Sequence, residues 1–273
     1  MSARAGPRLD ELAPTTRFTD RAEDYARFRP DYPAAAIDCV LAGLGAPTRL
    51  RAADVGAGTG ISARRLAERR VRVLAIEPNR AMRAAAPAHS RIAWIAGTAE
   101  ATALRDGAVD LVLVAQAFHW FRAGDARREF HRILRPGGRL AVMWNTRDRR
   151  DPLTRGYVDA IRAVSGEHPA GRRRLDPRAV SRGGWFEPPA CRRFANAQAL
   201  DREGMLGRAL SASYVPRKGA GFVELRRRLG GLFERHRDAR GRVTLRYRTV
   251  VWIARRRERG AAGRRGLRES ARG

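Results

Sequence analysis

Short apolar runs alternate with helical patterns through the first half of the chain. The apolar runs cover residues 50–55, 71–76, 92–96, 109–115 and 140–145. Each run is rich in alanine or β-branched residues and is followed by a glycine or polar residue, as strands often are. Between the runs, apolar residues recur at three- and four-residue steps, which is the period of a helix face. Strands that alternate with helices predict an α/β domain built on a mostly parallel, doubly wound sheet.

The pattern changes on either side of this region. Two helices are predicted before the first strand, over residues 18–28 and 34–44, with prolines between them that end the first helix. Residues 165–189 are rich in proline and arginine and predict a loop or lid, with disorder as the alternative. Residues 191–200 and 243–254 have the pattern of two further strands, with helical periodicity between them. The predicted sheet therefore has seven strands.

The turn after the first strand is rich in glycine. Its sequence is Asp54-Val55-Gly56-Ala57-Gly58-Thr59-Gly60. Glycine removes the Cβ atoms that keep a ligand away from the main chain, and it allows the positive φ that a sharp strand-to-helix turn needs. The dinucleotide pattern G-x-G-x-x-G would place its last glycine at Ile61, whereas the third glycine comes one residue earlier. By itself the loop fits either a cofactor site or an ordinary turn.

An acidic residue follows the second predicted strand. Glu77 lies about twenty residues beyond the glycine loop, at the carboxyl end of the neighbouring strand. In a doubly wound sheet, a carboxylate at that position can accept hydrogen bonds from ribose hydroxyls. Asp54, the glycines and Glu77 together therefore predict a nucleoside cofactor. The alternative for Glu77 is a loop carboxylate that faces solvent.

Aromatic residues cluster after the fourth predicted strand. The segment Gln116-Ala117-Phe118-His119-Trp120-Phe121 lies at the carboxyl edge of the sheet, where open α/β sheets keep their active sites. His119 is for that reason the first histidine to test as a proton acceptor. A packing role among the aromatic rings is the alternative.

Composition adds one unusual feature, a formal charge of +28 on 273 residues. Such a charge is compatible with a nucleic-acid partner. Lys218 is the only lysine, however, and the arginines are spread along the chain, so biased codon usage explains them as solvated surface residues. Cys39 and Cys191 have neither disulfide nor zinc-ligand spacing, and we expect two buried thiols and no metal site. No apolar stretch has the length of a membrane span or signal peptide, so we expect a soluble, cytoplasmic protein.

Five segments in a fixed order carry a family resemblance. They are residues 54–60, 77–78, 97–100, 115–120 and 134–138. Through them, residues 18–148 resemble the methyltransferase domain of class I S-adenosylmethionine-dependent enzymes of the ubiquinone/menaquinone-biosynthesis type, including trans-aconitate methyltransferase-like proteins. The resemblance implies a Rossmann-like, seven-stranded, mostly parallel doubly wound sheet whose last strand is antiparallel.

The resemblance also assigns roles to single residues. The implied cofactor-binding set is Asp54, Gly56, Ala57, Gly58, Gly60, Glu77, Thr98, Ala99, Glu100 and Gln116. Asp54, Gly56 and Gly58 would hold the methionine end of S-adenosylmethionine, and Glu77 the ribose. Residues 98–100 would surround the adenine. Many relatives have aspartate at position 98, so with Thr98 the adenine contact would fall to Glu100 or to the backbone. Gln116 would form the floor near the sulfonium.

The reaction that this resemblance implies is an in-line transfer of the methyl group. The cofactor supplies the reactivity, so the protein mainly orients the partners and excludes water. A carboxylate acceptor needs no general base, whereas a phenol, enol or amine does. Tyr25 and His119 are the candidate bases, and residues 18–32 are expected to fold over the cofactor as a cap.

A small-molecule acceptor is the favoured hypothesis. Amino-directed base methyltransferases commonly carry Asn/Asp-Pro-Pro-aromatic after the fourth strand, and Ala115-Gln116-Ala117-Phe118 contains no proline. Neither cysteine follows a proline, as the nucleophile of a pyrimidine-carbon methyltransferase would. RNA or other nucleic-acid methylation stays open as an alternative. A non-catalytic basic binding protein on the same fold is another.

The expected domain organisation is a single methyltransferase domain between two tails. The tails are residues 1–17, disordered, and residues 255–273, rich in arginine and glycine. The domain between them divides into a helical cap, a cofactor-binding core and a substrate-side part, over residues 18–48, 49–148 and 149–254.

Overall fold

The computed structural model describes residues 19–166, 176 and 178–258. Seven strands form one sheet: β1 (Arg51–Val55), β2 (Arg72–Ile76), β3 (Ile92–Ile95), β4 (Val109–Ala115), β5 (Leu134–Arg147), β6 (Ala190–Leu200) and β7 (Val243–Arg255). Their order is β3-β2-β1-β4-β5-β7-β6. Strands β1 to β5 pair in parallel, and β7 runs antiparallel to both β5 and β6. The predicted fold class, with its antiparallel last strand, is confirmed.

Helices cover both faces and the carboxyl edge of this sheet. In the described part of the chain they are α1 (Ala22–Phe28), α2 (Ala34–Leu41), α3 (Ile61–Glu68), α4 (Arg80–Ala84), α5 (Ala123–Ile133), α6 (Pro152–Ser165), α7 (Arg178–Ser181), α8 (Arg202–Leu210) and α9 (Gly219–His236). Short 3-10 turns precede α1 at Thr19–Arg21 and follow β4 at Phe118–Trp120.

The alternation of side chains along β4 explains how the two main cores form. Leu111 and Leu113 point to the face that packs against α2 and α3, whereas Val112 and Val114 point to the face that packs against α5. Both sets are fully buried. A central strand that is buried on both faces has a continuous apolar sequence, as β4 has. A third apolar cluster joins α6, α8 and α9 to the first residues of β7.

The strand order creates a crevice at one edge of the sheet. From β1 the chain proceeds outward through β2 and β3, and then returns to the other side of β1 as β4. The connections that leave the carboxyl ends of β1 and β4 therefore run in opposite directions. Open α/β sheets bind ligands at such a switch point.

Several boundaries differ from the predictions. The fifth strand begins at Leu134 rather than near residue 140, because the residues before the Pro-Gly-Gly sequence already pair with β4 and a register shift between Val109 and Leu111 accommodates the irregularity. Helix α2 ends at Leu41, three residues early. Cys39 and Cys191 are half-buried, not buried.

Part of the predicted loop 165–189 packs into the core. Val180 and Phe186 are 0% and 1% exposed, and Phe186 forms an antiparallel bridge with Arg256. Arg255, predicted to begin the C-terminal tail, is the last residue of β7. Residues 167–175 and 177 of the loop, the N-terminal tail and residues 259–273 lie outside the described residues. No described helix combines the length and apolar character needed to cross a membrane.

Candidate active site

A cavity of about 790 Å³ opens at the carboxyl edge of the sheet. It lies at the switch point and is covered by residues from α1 and by the segment that follows α8. Sites for small molecules commonly have volumes of roughly 300–1,000 Å³. The cavity has two walls. The loops after β1, β2 and β3 form one, the glycine-loop wall, and arginines from other parts of the chain form the other.

The glycine loop is shaped by packing as well as by its turn. Gly56 and Gly58 both have positive φ, 68° and 58°. A Cβ atom at Gly56 would lie 2.7 Å from Cβ of Ala117, and a Cβ atom at Gly58 would lie 3.3 Å from Cε of Met82. The main chain of the loop is therefore in close contact with neighbouring segments. Gly56 and Gly58 face the cavity, whereas Ala57 and Gly60 are not part of its wall.

Glu77 is the acidic group of this wall. It is 8% exposed, and its two carboxylate oxygens accept hydrogen bonds from the backbone amides of Gly58 and Asn79, each at 2.9 Å. Burial raises the pKa of Glu77, an effect that these two amide bonds partly offset. The alternative of a solvent-facing carboxylate is therefore wrong.

Asp54 is buried at the start of the glycine loop. It is 0% exposed, its Oδ2 accepts a hydrogen bond from Ser62 Oγ at 2.7 Å, and its Oδ1 has no hydrogen-bond partner among the described residues. Burial raises the pKa of Asp54 to about 7. The side chain lies behind the loop and does not reach the cavity wall. Asp54, Ala57 and Gly60 are thus not among the residues that line the cavity, and their contact with a cofactor stays a prediction.

The segment after β3 contributes Thr98, Ala99 and Glu100, all three of which line the cavity. Thr98 Oγ1 accepts a hydrogen bond from the amide of Ala101 at 3.2 Å, which closes a tight turn. Glu100 Oε1 accepts from the amide of Arg122 at 2.8 Å and so joins this turn to the segment before α5. The structure brings the predicted adenine-side residues together.

Gln116 is in an unusual backbone conformation. It is a non-glycine residue with φ of 61°, and its Nε2 donates to the carbonyl of Asn145 at 3.3 Å. Positive φ in a residue with a side chain is energetically costly and often marks a functional position. Gln116 also lines the cavity, and its place beside the sulfonium stays a prediction.

Both candidate bases face the same cavity. The His119 ring lies between two indoles, with centroid distances of 4.5 Å to Trp120 and 5.0 Å to Trp144. Tyr25 approaches the glycine loop, where its Cε1 would be 3.4 Å from a Cβ atom at Gly58. His119 therefore has the aromatic packing that was its alternative role. Because the His119 ring also faces the cavity, its role as a proton acceptor stays a prediction.

The N-terminal segment bridges the two sides of the cavity opening. Asn79 Nδ2 donates to Thr19 Oγ1 at 2.9 Å on the α4 side. On the other side, Arg21 Nη1 donates to the carbonyl of Leu210 and Arg29 Nη2 to the carbonyl of Ser211, both at 2.9 Å. Helix α1 is thereby fixed over the glycine loop, which is the geometry expected of a cap.

Five arginines line the cavity, none of them among the predicted site residues, and three of these come from separate elements of the fold. Arg29 follows α1, Arg147 ends β5 and Arg208 lies on α8. Arg208 is 3% exposed and donates to Tyr247 Oη at 3.3 Å and to Ser211 Oγ at 3.2 Å. The Arg147 guanidinium lies 5.2 Å from the centroid of the Tyr157 ring. No local pattern marks these residues, because arginine is abundant everywhere in the chain.

The sheet order, the glycine loop and Glu77 define a class I methyltransferase fold. A family described as "Methyltransferase domain" matches residues 53–142. An uncharacterized methyltransferase of Mycobacterium tuberculosis is 48% identical over 130 residues, which are 46% of this chain and 51% of the relative. An uncharacterized methyltransferase-like protein of Schizosaccharomyces pombe is 32% identical over 156 residues, covering 55% and 58% of the two chains. The chain thus spans about half the length of the curated relatives it matches.

Solved structures extend the similarity over most of the chain. A structure assigned as a type II methyltransferase from Anaeromyxobacter dehalogenans has 26% identity and a TM-score of 0.63, covering 84% of this chain and 98% of that one. The [4+2]-cyclase SpnF shares the fold at 17% identity, with a TM-score of 0.54 and coverage of 93% and 99%. The chain therefore has the class I methyltransferase fold, and its residues 53–142 match the methyltransferase-domain family. These matches do not support the trans-aconitate methyltransferase-like subtype.

Proposed function

We propose that the chain transfers the methyl group of S-adenosylmethionine to a small-molecule acceptor. The observation that carries this proposal is the buried Glu77 carboxylate, which lies beside Gly58 in a cavity covered by α1. A nucleoside needs both an acceptor for its ribose hydroxyls and a close approach to the main chain.

The residues of the glycine-loop wall fit such a cofactor. Each oxygen of Glu77 accepts one backbone amide, and a carboxylate has about four lone-pair sites, so sites remain for two hydroxyl donors. Gly58 has no side chain, so a ligand can lie directly against its main chain. When bound, S-adenosylmethionine supplies a methyl group on a positively charged sulfur. Gln116, His119 and the ring of Trp144 would surround this region, and aromatic faces attract such a charge.

The remaining contribution of the protein is orientation and exclusion of water. Tyr25 on α1 lies over the loop and would shield the reacting groups from solvent. For an acceptor that must lose a proton, Tyr25 or His119 would receive it. For a carboxylate acceptor, neither would be needed.

The covered cavity favours a small molecule over a nucleic-acid base. Helix α1 is held across the opening by hydrogen bonds on both sides, and a base in a duplex would have to be flipped beneath it. The formal charge of +28 is the observation that supports nucleic acid as a second candidate acceptor. Both hypotheses require cofactor binding, which a non-catalytic binding protein does not.

Calorimetric titration with S-adenosylmethionine and S-adenosylhomocysteine tests the common requirement. We expect the wild type to bind both, and Glu77→Gln to bind them about 10- to 100-fold more weakly, since a charge-assisted acceptor is lost in a buried site. Glu68→Gln is the matched control, because Glu68 is an exposed acid on α3 that pairs with Arg65. Absence of binding by the folded wild type would refute the proposed function.

The acceptor class is tested by turnover. Small acids, phenols, quinone precursors and tRNA are screened for conversion of S-adenosylmethionine to S-adenosylhomocysteine. We expect conversion with a small molecule. Conversion with tRNA alone would establish the second candidate.

A further inference from the structure

The cavity has a second wall that the cofactor does not explain. We call the side chains of Arg29, Arg147 and Arg208 the arginine wall. All three line the cavity, and Arg29 and Arg208 are linked through Ser211, whose carbonyl accepts from Arg29 and whose hydroxyl accepts from Arg208. The arginine wall therefore brings three positive charges to one side of the site.

None of these guanidinium groups forms an ion pair with a carboxylate of the described chain. Their partners are backbone carbonyls, hydroxyls and aromatic rings, including the Tyr25 ring at 4.5 Å from the Arg29 guanidinium. Nε of Arg29 and Nε of Arg147 are buried and have no hydrogen-bond partner in the part of the chain that the structure describes. Arg149, which borders the same cavity, is different because it pairs with Asp159 at 3.0 Å.

An uncompensated cluster of this kind is unfavourable in the free protein. A guanidinium keeps its proton in proteins, so burial cannot be relieved by neutralisation. Burial lowers the pKa of Arg29, and the charges of Arg208 and Arg147 act in the same direction against an opposing effect of Tyr25 and Tyr214. The pKa of Arg208 is raised, because neighbouring tyrosines outweigh its burial, so the unfavourable environment is that of Arg29. Buried charges are normally paired, and an anion placed among the three would supply the missing partner.

We propose that the arginine wall binds an anionic group of the methyl acceptor, either a carboxylate or a phosphate. Arginine donates in a planar fork that matches both groups. This inference rests on the proposed function, because it assigns the acceptor to the half of the cavity away from Glu77. The acid group would anchor the acceptor and thereby orient its methylated atom toward the sulfonium.

Calorimetry with the S-adenosylhomocysteine-saturated protein tests the inference at about 150 mM salt, which screens the charged surface. Citrate and pyrophosphate serve as carboxylate and phosphate probes, and triethyl citrate as a neutral analogue. We expect at least one anion to bind and the neutral ester not to bind. Arg147→Gln should weaken anion binding about tenfold or more and leave S-adenosylhomocysteine affinity unchanged.

Arg227→Gln is the charge-matched control. Arg227 is exposed on α9, where it pairs with Glu224 at 2.7 Å, and its loss should leave anion affinity within about twofold. Binding of citrate alone would assign a carboxylate acceptor, and binding of pyrophosphate alone a phosphate acceptor. The inference is overturned if neither anion binds, or if Arg147→Gln and Arg227→Gln weaken binding equally. Failure of S-adenosylhomocysteine to bind would instead refute the proposed function.

Discussion

The two walls of the cavity are built in different ways. The glycine-loop wall comes from three short segments that follow β1, β2 and β3, and its key acid, Glu77, has both oxygens bonded to backbone amides. The arginine wall comes from residues as far apart as Arg29 and Arg208, and two of its nitrogens have no hydrogen-bond partner among the described residues. The acid of the first wall is thus held in place by the backbone and keeps acceptor sites for a ligand, whereas the second wall has donors that the described chain does not use.

This difference predicts different responses to mutation. A wall whose groups are bonded to the backbone should lose stability as well as ligand affinity when it is altered, because its groups support one another. A wall with spare donors should lose ligand affinity first. Changes in the glycine loop and behind it should therefore alter stability, whereas a change in the cap that joins the two walls should mainly alter ligand retention.

Gly56→Ala should have the largest effect. The new Cβ would lie 2.7 Å from Ala117 Cβ, at a residue with φ of 68°. Positive φ costs alanine about 1–2 kcal/mol, and overpacking adds about 1–3 kcal/mol, so we expect a loss of about 2–5 kcal/mol in the free energy of unfolding, measured by urea denaturation.

Gly137→Ala separates these two contributions. Gly137 has φ of 74°, and a Cβ atom there would have no neighbour within 4 Å. This control should therefore lose only the conformational part, about 1–2 kcal/mol. Equal losses for the two variants would mean that the packing of the glycine loop against Ala117 contributes nothing to stability.

Asp54→Asn should change how stability depends on pH. Burial raises the pKa of Asp54 to about 7, so the folded chain holds a proton that the unfolded chain has already released between about pH 4 and 7. This acid therefore makes stability fall as pH rises through that window. Three pKa units correspond to at most about 4 kcal/mol.

The measurement is the difference in unfolding free energy between wild type and variant at pH 4 and pH 8. We expect the wild type to lose stability over this range relative to Asp54→Asn. Glu77 also has a raised pKa and is present in both proteins, so its contribution cancels in the difference except for its charge interaction with Asp54. Asp38→Asn is the control, since Asp38 is an exposed acid paired with Arg69 at 2.9 Å. Parallel pH curves for wild type and Asp54→Asn would contradict the prediction.

The sequence was informative where function depends on contiguous residues. The strand pattern predicted the sheet, because buried parallel strands leave continuous apolar runs. The spacing from the glycine loop to Glu77 predicted that they would meet, because β1 and β2 are neighbours in register, with Val55 opposite Ile76. The confirmed fold class and the placement of the residues 98–100 follow from the same short-range logic.

Long-range assembly was not accessible in this way. Arg29, Arg147 and Arg208 meet only through the packing of α1, β5 and α8, and nothing in their local sequences differs from that of the surface arginines. Asp54 was predicted at the ligand because it begins the motif. Side chains alternate along a strand, however, and its carboxylate turns toward Ser62 at the start of α3.

A change in the cap should have the smallest effect on the free energy of unfolding, and it tests whether α1 connects the two walls. Arg217 joins the segment after α8 to the N-terminal segment, where it forms an ion pair with Asp24 and donates to the carbonyl of Asp20 at 2.7 Å. These groups are partly exposed, so Arg217→Gln should lower the free energy of unfolding by less than about 1 kcal/mol. If α1 holds the cofactor in place, the same change should accelerate S-adenosylhomocysteine dissociation about two- to fivefold in stopped-flow displacement.

Arg202→Gln is the matched control, because it removes a pair with Glu234 at 3.4 Å that does not involve the cap. Equal dissociation rates for the two variants would show that α1 covers the glycine loop without retaining what binds there.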